Sequence, residues 1–232
     1  MFDLSLGLEH THVLVTGGAG LIGSVVVRAF LAAGANVTSV DINYSSNHQH
    51  IESLESGNSL LELHGDITSP ESLGQAWLKA KAAFGIVATC VALASLDLSI
   101  LRQTESIIDA DPKDWEKVLK VNVGGTMLTA QCWLRDIHDH IRNESSKPLI
   151  NTGLIIIGSE AGHFGVKTCA MYAASKSAVQ YGLLQSLRAD AASIYNKARV
   201  NAVAPGPVDT PRFRAETGGP GTQEWWAECE AT

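Results

Sequence analysis

Basic residues are scarce: 17 Lys+Arg stand against 24 Asp+Glu, a formal net charge of -7 over 232 residues. Such a field repels a polyanionic nucleic acid unless a local basic patch overcomes it, and the sequence contains no such patch. Long apolar runs are missing too. Val13–Val15 and Leu154–Ile157 fall far short of the roughly 20 residues a membrane helix needs, so no membrane partner is expected. Met1 to His10 shows no basic stretch followed by an apolar core, and without a secretory signal a reducing, cytoplasmic setting is expected. Only four cysteines occur, Cys90, Cys132, Cys169 and Cys229, too far apart for paired metal ligation. His48 with His50, and His138 with Asp139 and His140, do not converge on one ion either. No metal is expected, and the thiols read as free and buried.

What is present is enough apolar material for one core. Hydrophobic residues make up 45% of the chain and charged residues 18%, a balance suited to one soluble globular domain over residues 1–232. Short apolar runs alternate with segments of helical period, which predicts strands at Val13–Thr16, Ala35–Ile42, Leu60–Leu63, Ile86–Ala92, Leu154–Gly158 and Arg199–Val203. Helices are predicted at Leu21–Ala33, Pro70–Ala83, Asp114–Ile141 and Met171–Tyr195. The expected fold is α/β, a doubly wound, mostly parallel, Rossmann-like sheet of six strands. No composition shift marks a linker within residues 11–210, whereas Gly218-Gly219-Pro220-Gly221 opens an irregular tail over 215–232.

Directly after the first strand, Thr16-Gly17-Gly18-Ala19-Gly20-Leu21-Ile22-Gly23 runs into a helical pattern. Glycines let a backbone approach a pyrophosphate closely, and the free N–H groups of a helix start attract its charge. Gly17, Gly20, Leu21, Ile22 and Gly23 therefore read as a phosphate cradle. Asp41 closes the second strand at the spacing where a carboxylate accepts from ribose hydroxyls and repels a 2′-phosphate. No Arg or Lys lies between Gly17 and Gly23 or from Asp41 to Ile51, so NAD is expected rather than NADP. Tyr172 and Lys176 stand four apart on a helical segment and share a face, so an ammonium could lower the phenol pKa from about 10 toward the range of proton transfer. Ser159, at a strand's carboxyl end, could polarise a substrate carbonyl or merely cap a helix.

Together with His64-Gly65-Asp66-Ile67, Val121-Asn122-Val123-Gly124-Gly125-Thr126, Ile157-Gly158-Ser159, Tyr172-Ala173-Ala174-Ser175-Lys176 and Asn201 through Thr210, these motifs occur in an order that resembles the short-chain dehydrogenases/reductases. The resemblance covers most of residues 11–210 and favours the common single-domain type. It implies that Asp66 and Ile67 contact adenine, that Asn122 distorts its helix and holds a water, and that Ser159 binds the reacting oxygen. Tyr172 would be acid or base, and Lys176 would lower its pKa and bind the nicotinamide ribose. Pro205, Gly206, Val208 and Thr210 would line the nicotinamide end.

Three features depart from that pattern. Gly17, Gly20 and Gly23 follow the spacing of larger, epimerase-like members. Leu93-Ala94-Ser95 stands where the family has Asn-Ala-Gly, so Ala94 keeps a cofactor-binding place while the strand-tying Asn is lost and a weakened central sheet is expected. Family members continue beyond the Pro-Gly motif through a lid helix and a further strand, so a C-terminally truncated form with an exposed sheet edge is expected here. The function implied is hydride transfer between NAD(H) and a small secondary alcohol or ketone by a homo-oligomer. An inactive NAD-binding homologue and an epimerase or dehydratase using bound NAD stay open as alternatives.

Overall fold

The computed structural model describes residues 6–45, 49–53, 57–143 and 148–209. Strand β1 (His12–Thr16) is buried along its whole length, as a strand flanked on both sides and covered on both faces must be. Its neighbours are β2 (Asn36–Asp41) and β5 (Thr89–Ala92), both parallel to it. Outward from β2 come β4 (Ser59–His64), parallel, and β3 (Gln49–Ser53), antiparallel. On the other side of β5 lie β6 (Gly153–Ile157) and β7 (Arg199–Val203), both parallel. The order is β3-β4-β2-β1-β5-β6-β7, so the sequence direction reverses between β1 and β5, where open α/β sheets leave a crevice at the carboxyl ends.

The six expected strands all form, but the described residues contain seven. The extra one, β3, is short, polar and antiparallel, and its pairing with β4 gave no apolar run to read. At the opposite edge β7 pairs with β6 alone among the described residues. Thr210 and the tail 215–232, where the sequence leads to the expectation that the lid helix and further strand are missing, lie outside the described residues.

Alternation along β1 divides the core. Val13 and Val15 face α1 (Leu21–Ala32), packing with Val27, Val37 and Val91. Leu14 faces α2 (Pro70–Phe84), α4 (Thr126–Arg142) and α7 (Leu184–Ile194), whose Trp77, Trp133 and Leu187 fill the other face. Pro70 sits in the first turn of α2 and Ser69 caps it, accepting from the Ser72 N–H. Buried Asp136 joins three elements: one oxygen accepts from Trp77 Nε1 and the Val87 N–H, the other pairs with Lys81.

The two long predicted helices are each divided. Asp114–Ile141 comprises α3 (Pro112–Val118), a π-helical segment Leu119–Gly125 and α4. Met171–Tyr195 comprises α6 (Ala170–Ser177), a π-helical segment Ala178–Leu183 and α7. The short α5 (Ala161–Phe164) precedes α6. No helix among the described residues is long and apolar enough to cross a membrane.

Candidate active site

The glycine loop is shaped by what it cannot accommodate. Gly17 has φ +76°, and a Cβ there would lie 2.8 Å from Ala94 Cα, so the position needs both the conformation and the missing side chain of glycine. A Cβ on Gly23 would overlap the Gly17 carbonyl, and one on Gly18 would overlap the Ser39 hydroxyl. Gly20 is the extended N-cap of α1 and supplies no side-chain cap, so the first-turn N–H groups face outward without an intrahelical partner. A helix start of this kind, beside the switch point of the sheet, has the chemistry to attract an anion.

Asp41, buried at the end of β2, holds this loop. Its Oδ2 accepts from the Ala19 N–H at 3.0 Å and its Oδ1 from the Asn43 N–H at 2.8 Å. A carboxylate has about four lone-pair sites, so capacity for hydroxyl donors remains. The loop after β2 is anchored further by Tyr44, whose hydroxyl bonds Ser39 at 2.9 Å and donates to Glu62 at 3.1 Å. Burial pushes the Tyr44 phenol up to about 12, so it stays a donor. Asp66 is engaged locally, accepting from the Thr68 N–H at 2.8 Å. Ile67 is buried against the π segment where Gly125 leaves room for its side chain.

The missing family Asn does not leave the central strands untied. Thr16 Oγ1 donates to the Val91 carbonyl at 3.4 Å and accepts from the Leu93 and Ala94 N–H groups at 3.2 and 3.4 Å. This hydroxyl joins the ends of β1 and β5, which corrects the expectation of a weakened sheet.

Asn122 lies in the π segment, as a helix-distorting residue should. Its Oδ1 accepts from the Leu96 N–H at 2.8 Å, and its Nδ2 donates to the Leu96 carbonyl and to Ser175 Oγ, each at 3.0 Å. Ser175 Oγ in turn donates to the Tyr172 carbonyl at 2.7 Å. The Asn122 carbonyl accepts the Thr126 hydroxyl at 2.7 Å. Asn122 thus binds the loop leaving β5 to the helix that carries Tyr172.

Ser159, Tyr172 and Lys176 converge. Ser159 faces the Tyr172 side chain closely enough to favour its charged form. Lys176 Nζ lies 5.6 Å from the Tyr172 ring centroid and donates to the Ile157 carbonyl at 2.9 Å and to Ser95 Oγ at 3.3 Å. Burial dominates the electrostatics of both. It pushes the Tyr172 phenol up, opposed by Ser159 and reinforced by Asp97, Cys169 and Glu160. It lowers Lys176 to about 8, with Asp97 opposing. The expected lowering of the Tyr172 pKa is not the direction its surroundings give, because burial is the largest influence and pushes the phenol up.

The loop after β7 reaches the same place. The Glu160 N–H donates to the Pro205 carbonyl at 3.0 Å, and a Cβ on Gly206 would lie 2.9 Å from Glu160 Oε2. Val208 is exposed beyond them. The parts played by Ser95, Ser175 and Thr16 are not legible in the sequence because each hydroxyl's partner lies far along the chain and follows no period.

A sequence model of the short chain dehydrogenase family matches residues 11–219. The chain is similar to 2-(S)-hydroxypropyl-CoM dehydrogenase 3 of Xanthobacter autotrophicus, 28% identical over 206 residues that span 88% of this chain and 74% of the relative. It is similar also to 5'-hydroxyaverantin dehydrogenase of Dothistroma septosporum, 33% identical over 217 residues, 88% of this chain and 69% of the relative. A solved short-chain type dehydrogenase/reductase from Mycobacterium ulcerans shares the fold, with a TM-score of 0.78 at 24% identity over 97% of this chain and 77% of that one.

Proposed function

This chain belongs to the short chain dehydrogenase family and is an oxidoreductase; on that premise we propose that it interconverts a secondary alcohol and a ketone with NAD(H), using Tyr172 as general acid/base. The observation that carries this reading is the convergence of Ser159 and Tyr172 with a buried Lys176, whose Nζ lies 5.6 Å from the Tyr172 ring and bonds the Ile157 carbonyl, at the carboxyl edge of the sheet that also bears the glycine cradle.

A nicotinamide dinucleotide fits the residues present. Gly17, Gly18 and Gly23 leave a surface that side chains would fill, and the uncapped start of α1, with Gly20, Leu21 and Ile22, offers N–H groups for a pyrophosphate. Asp41 supports NAD over NADP, because its buried carboxylate suits a ribose diol and no Arg or Lys from Asp41 to Ile51 offsets it against a 2′-phosphate. Asp66, Ile67 and Ala94 would border the adenosine and central part of that site, and Pro205, Gly206, Val208 and Thr210 the nicotinamide end. When bound, the nicotinamide supplies the hydride chemistry.

The chain's own residues supply the rest. Ser159 holds the substrate oxygen by donating its hydroxyl hydrogen. As the alcohol carbon is oxidised, the alcohol O–H proton passes to the Tyr172 oxygen; in reduction Tyr172 returns it to the carbonyl oxygen. Lys176 stabilises the phenolate once it carries its charge. Asn122 keeps the β5 loop and the Tyr172 helix in register. Incubating the protein with NAD⁺ and a panel of secondary alcohols, and with NADH and the matching ketones, should change nicotinamide absorbance with at least one pair. No change with any pair, with either NAD or NADP, would contradict the reading.

A further inference from the structure

We propose that Gln180 is a positioning residue for Ser159, an inference that rests on the role given to Ser159 above. Gln180 is buried in the π segment Ala178–Leu183, and its Oε1 accepts from the Ser159 N–H at 2.9 Å. A backbone N–H can only donate, so the atom facing it must be the carboxamide oxygen and the orientation of the amide is settled. The Nε2 is buried without a hydrogen-bond partner. An amide kept in place with one end unsatisfied is held there for its other end.

The surroundings are cut to fit this side chain. A Cβ on Gly158 would overlap Gln180 Oε1, and one on Gly162 would lie 2.7 Å from Nε2. Both glycines flank Ser159 in the turn that leaves β6. The rest of Ser159 is held locally: its carbonyl accepts from the Gly162 N–H at 3.0 Å and its Oγ accepts from the Ala161 N–H at 3.2 Å. With N–H, carbonyl and one oxygen lone pair fixed, the hydroxyl hydrogen is left to point at the Tyr172 oxygen or at a substrate.

Asn122 makes the same construction one strand away. Each of the two long helices contains a π segment, and each π segment presents a carboxamide to the loop leaving a strand: Asn122 to Leu96 after β5, Gln180 to Ser159 after β6. A π turn adds a residue to the helical repeat and rotates a side chain that would otherwise follow the α-helical face. Gln180 therefore fixes where the substrate oxygen is held relative to Tyr172, without touching either.

The test compares Gln180→Met, which keeps length but loses the acceptor, with Gln180→Glu, which keeps an acceptor oxygen. In steady-state reduction with NADH, Gln180→Met should lower kcat on the order of 10- to 100-fold. KM and NADH affinity should stay within about twofold, and Gln180→Glu should recover most of the loss. A merely structural residue would lower the melting temperature and leave kcat of the folded protein alone. Amide hydrogen exchange at Ser159, followed by NMR, gives a readout that needs no turnover and should accelerate in Gln180→Met. Unchanged kcat together with an unchanged Ser159 exchange rate would overturn the inference. If the wild-type chain turns over no substrate, the proposed function fails while the exchange rate still decides the Gln180 contact. Should Gln180→Met not fold, Gly158→Ala serves instead. Its added Cβ meets the Gln180 amide, so kcat should fall and Ser159 exchange should accelerate, whereas unchanged values of both would overturn the inference.

Discussion

Around Gly17 the chain closes a loop with its own donors and acceptors, whereas around Tyr172 burial works against the charge that proton transfer needs. At the cofactor end, Asp41 takes the Ala19 and Asn43 N–H groups, the Val40 carbonyl takes the Gly17 N–H, and Thr16 ties β1 to β5. At the proton-transfer end, hydrogen bonds fix the geometry equally well, but burial pushes the Tyr172 phenol up and lowers Lys176 to about 8. A folded chain can complete a backbone cradle from its own donors and acceptors. Burial opposes a charge on the phenol, so a positive group brought beside Tyr172 would favour its phenolate.

The largest effect should come from removing the reacting oxygen. Tyr172→Phe is expected to lower turnover roughly 10²–10⁴-fold and leave NADH binding, followed by fluorescence, nearly intact. A variant keeping more than about a tenth of wild-type turnover would move the acid/base role elsewhere.

Glycine substitutions probe the other region. Gly17→Ala and Gly23→Ala should each cost about 1–3 kcal/mol in urea unfolding and abolish NADH binding, since the added Cβ meets backbone. Gly20→Ala, with ordinary φ and a 3.3 Å approach to the Gly17 carbonyl, should cost no more than ~0.5 kcal/mol. Equal losses at all three would mean that the cradle is less tightly built than its contacts show.

Lys176 sharpens the contrast through pH. Its pKa falls from 10.5 to about 8 on folding, so between those values the unfolded chain binds more protons than the folded one. Stability should therefore rise with pH across that window. Melting temperatures measured there should rise for the wild type and stay flatter in Lys176→Met, which should also bind NADH less well. A parallel rise in both would place the effect at another group.

The smallest effect concerns cofactor choice. NADH should bind more tightly than NADPH, and Asp41→Ala should narrow the difference while weakening both, because the same carboxylate orders the loop. Equal affinities in the unmutated protein would remove Asp41 from selection.

What could be read from the sequence was what local chemistry encodes. Apolar runs located β1, β2, β4, β5, β6 and β7, and the glycine spacing, Asp41 and the Tyr172–Lys176 interval pointed to the two ends of the candidate site. Illegible were contacts set by tertiary packing. Strand β3 has no apolar run and exists through its pairing with β4. The Thr16 hydroxyl substitutes for an expected Asn from 77 residues away in sequence. Gln180 lies in a π turn that no period announces. The sign of the Tyr172 shift was also beyond the spacing argument, which places a cation nearby but does not weigh its attraction against burial.

The most direct test of this contrast is the titration of Tyr172 itself. Ultraviolet tyrosinate absorbance of the wild type, minus that of Tyr172→Phe, would be recorded against pH with and without saturating NAD⁺. In the free protein the difference signal should titrate above the ordinary phenol value of 10.0. With NAD⁺, whose oxidised nicotinamide brings positive charge, it should move down toward neutrality. A phenol already below 10.0 in the free protein, or one that NAD⁺ leaves unmoved, would contradict the claim that burial pushes the Tyr172 phenol up and that a positive group beside it favours its phenolate.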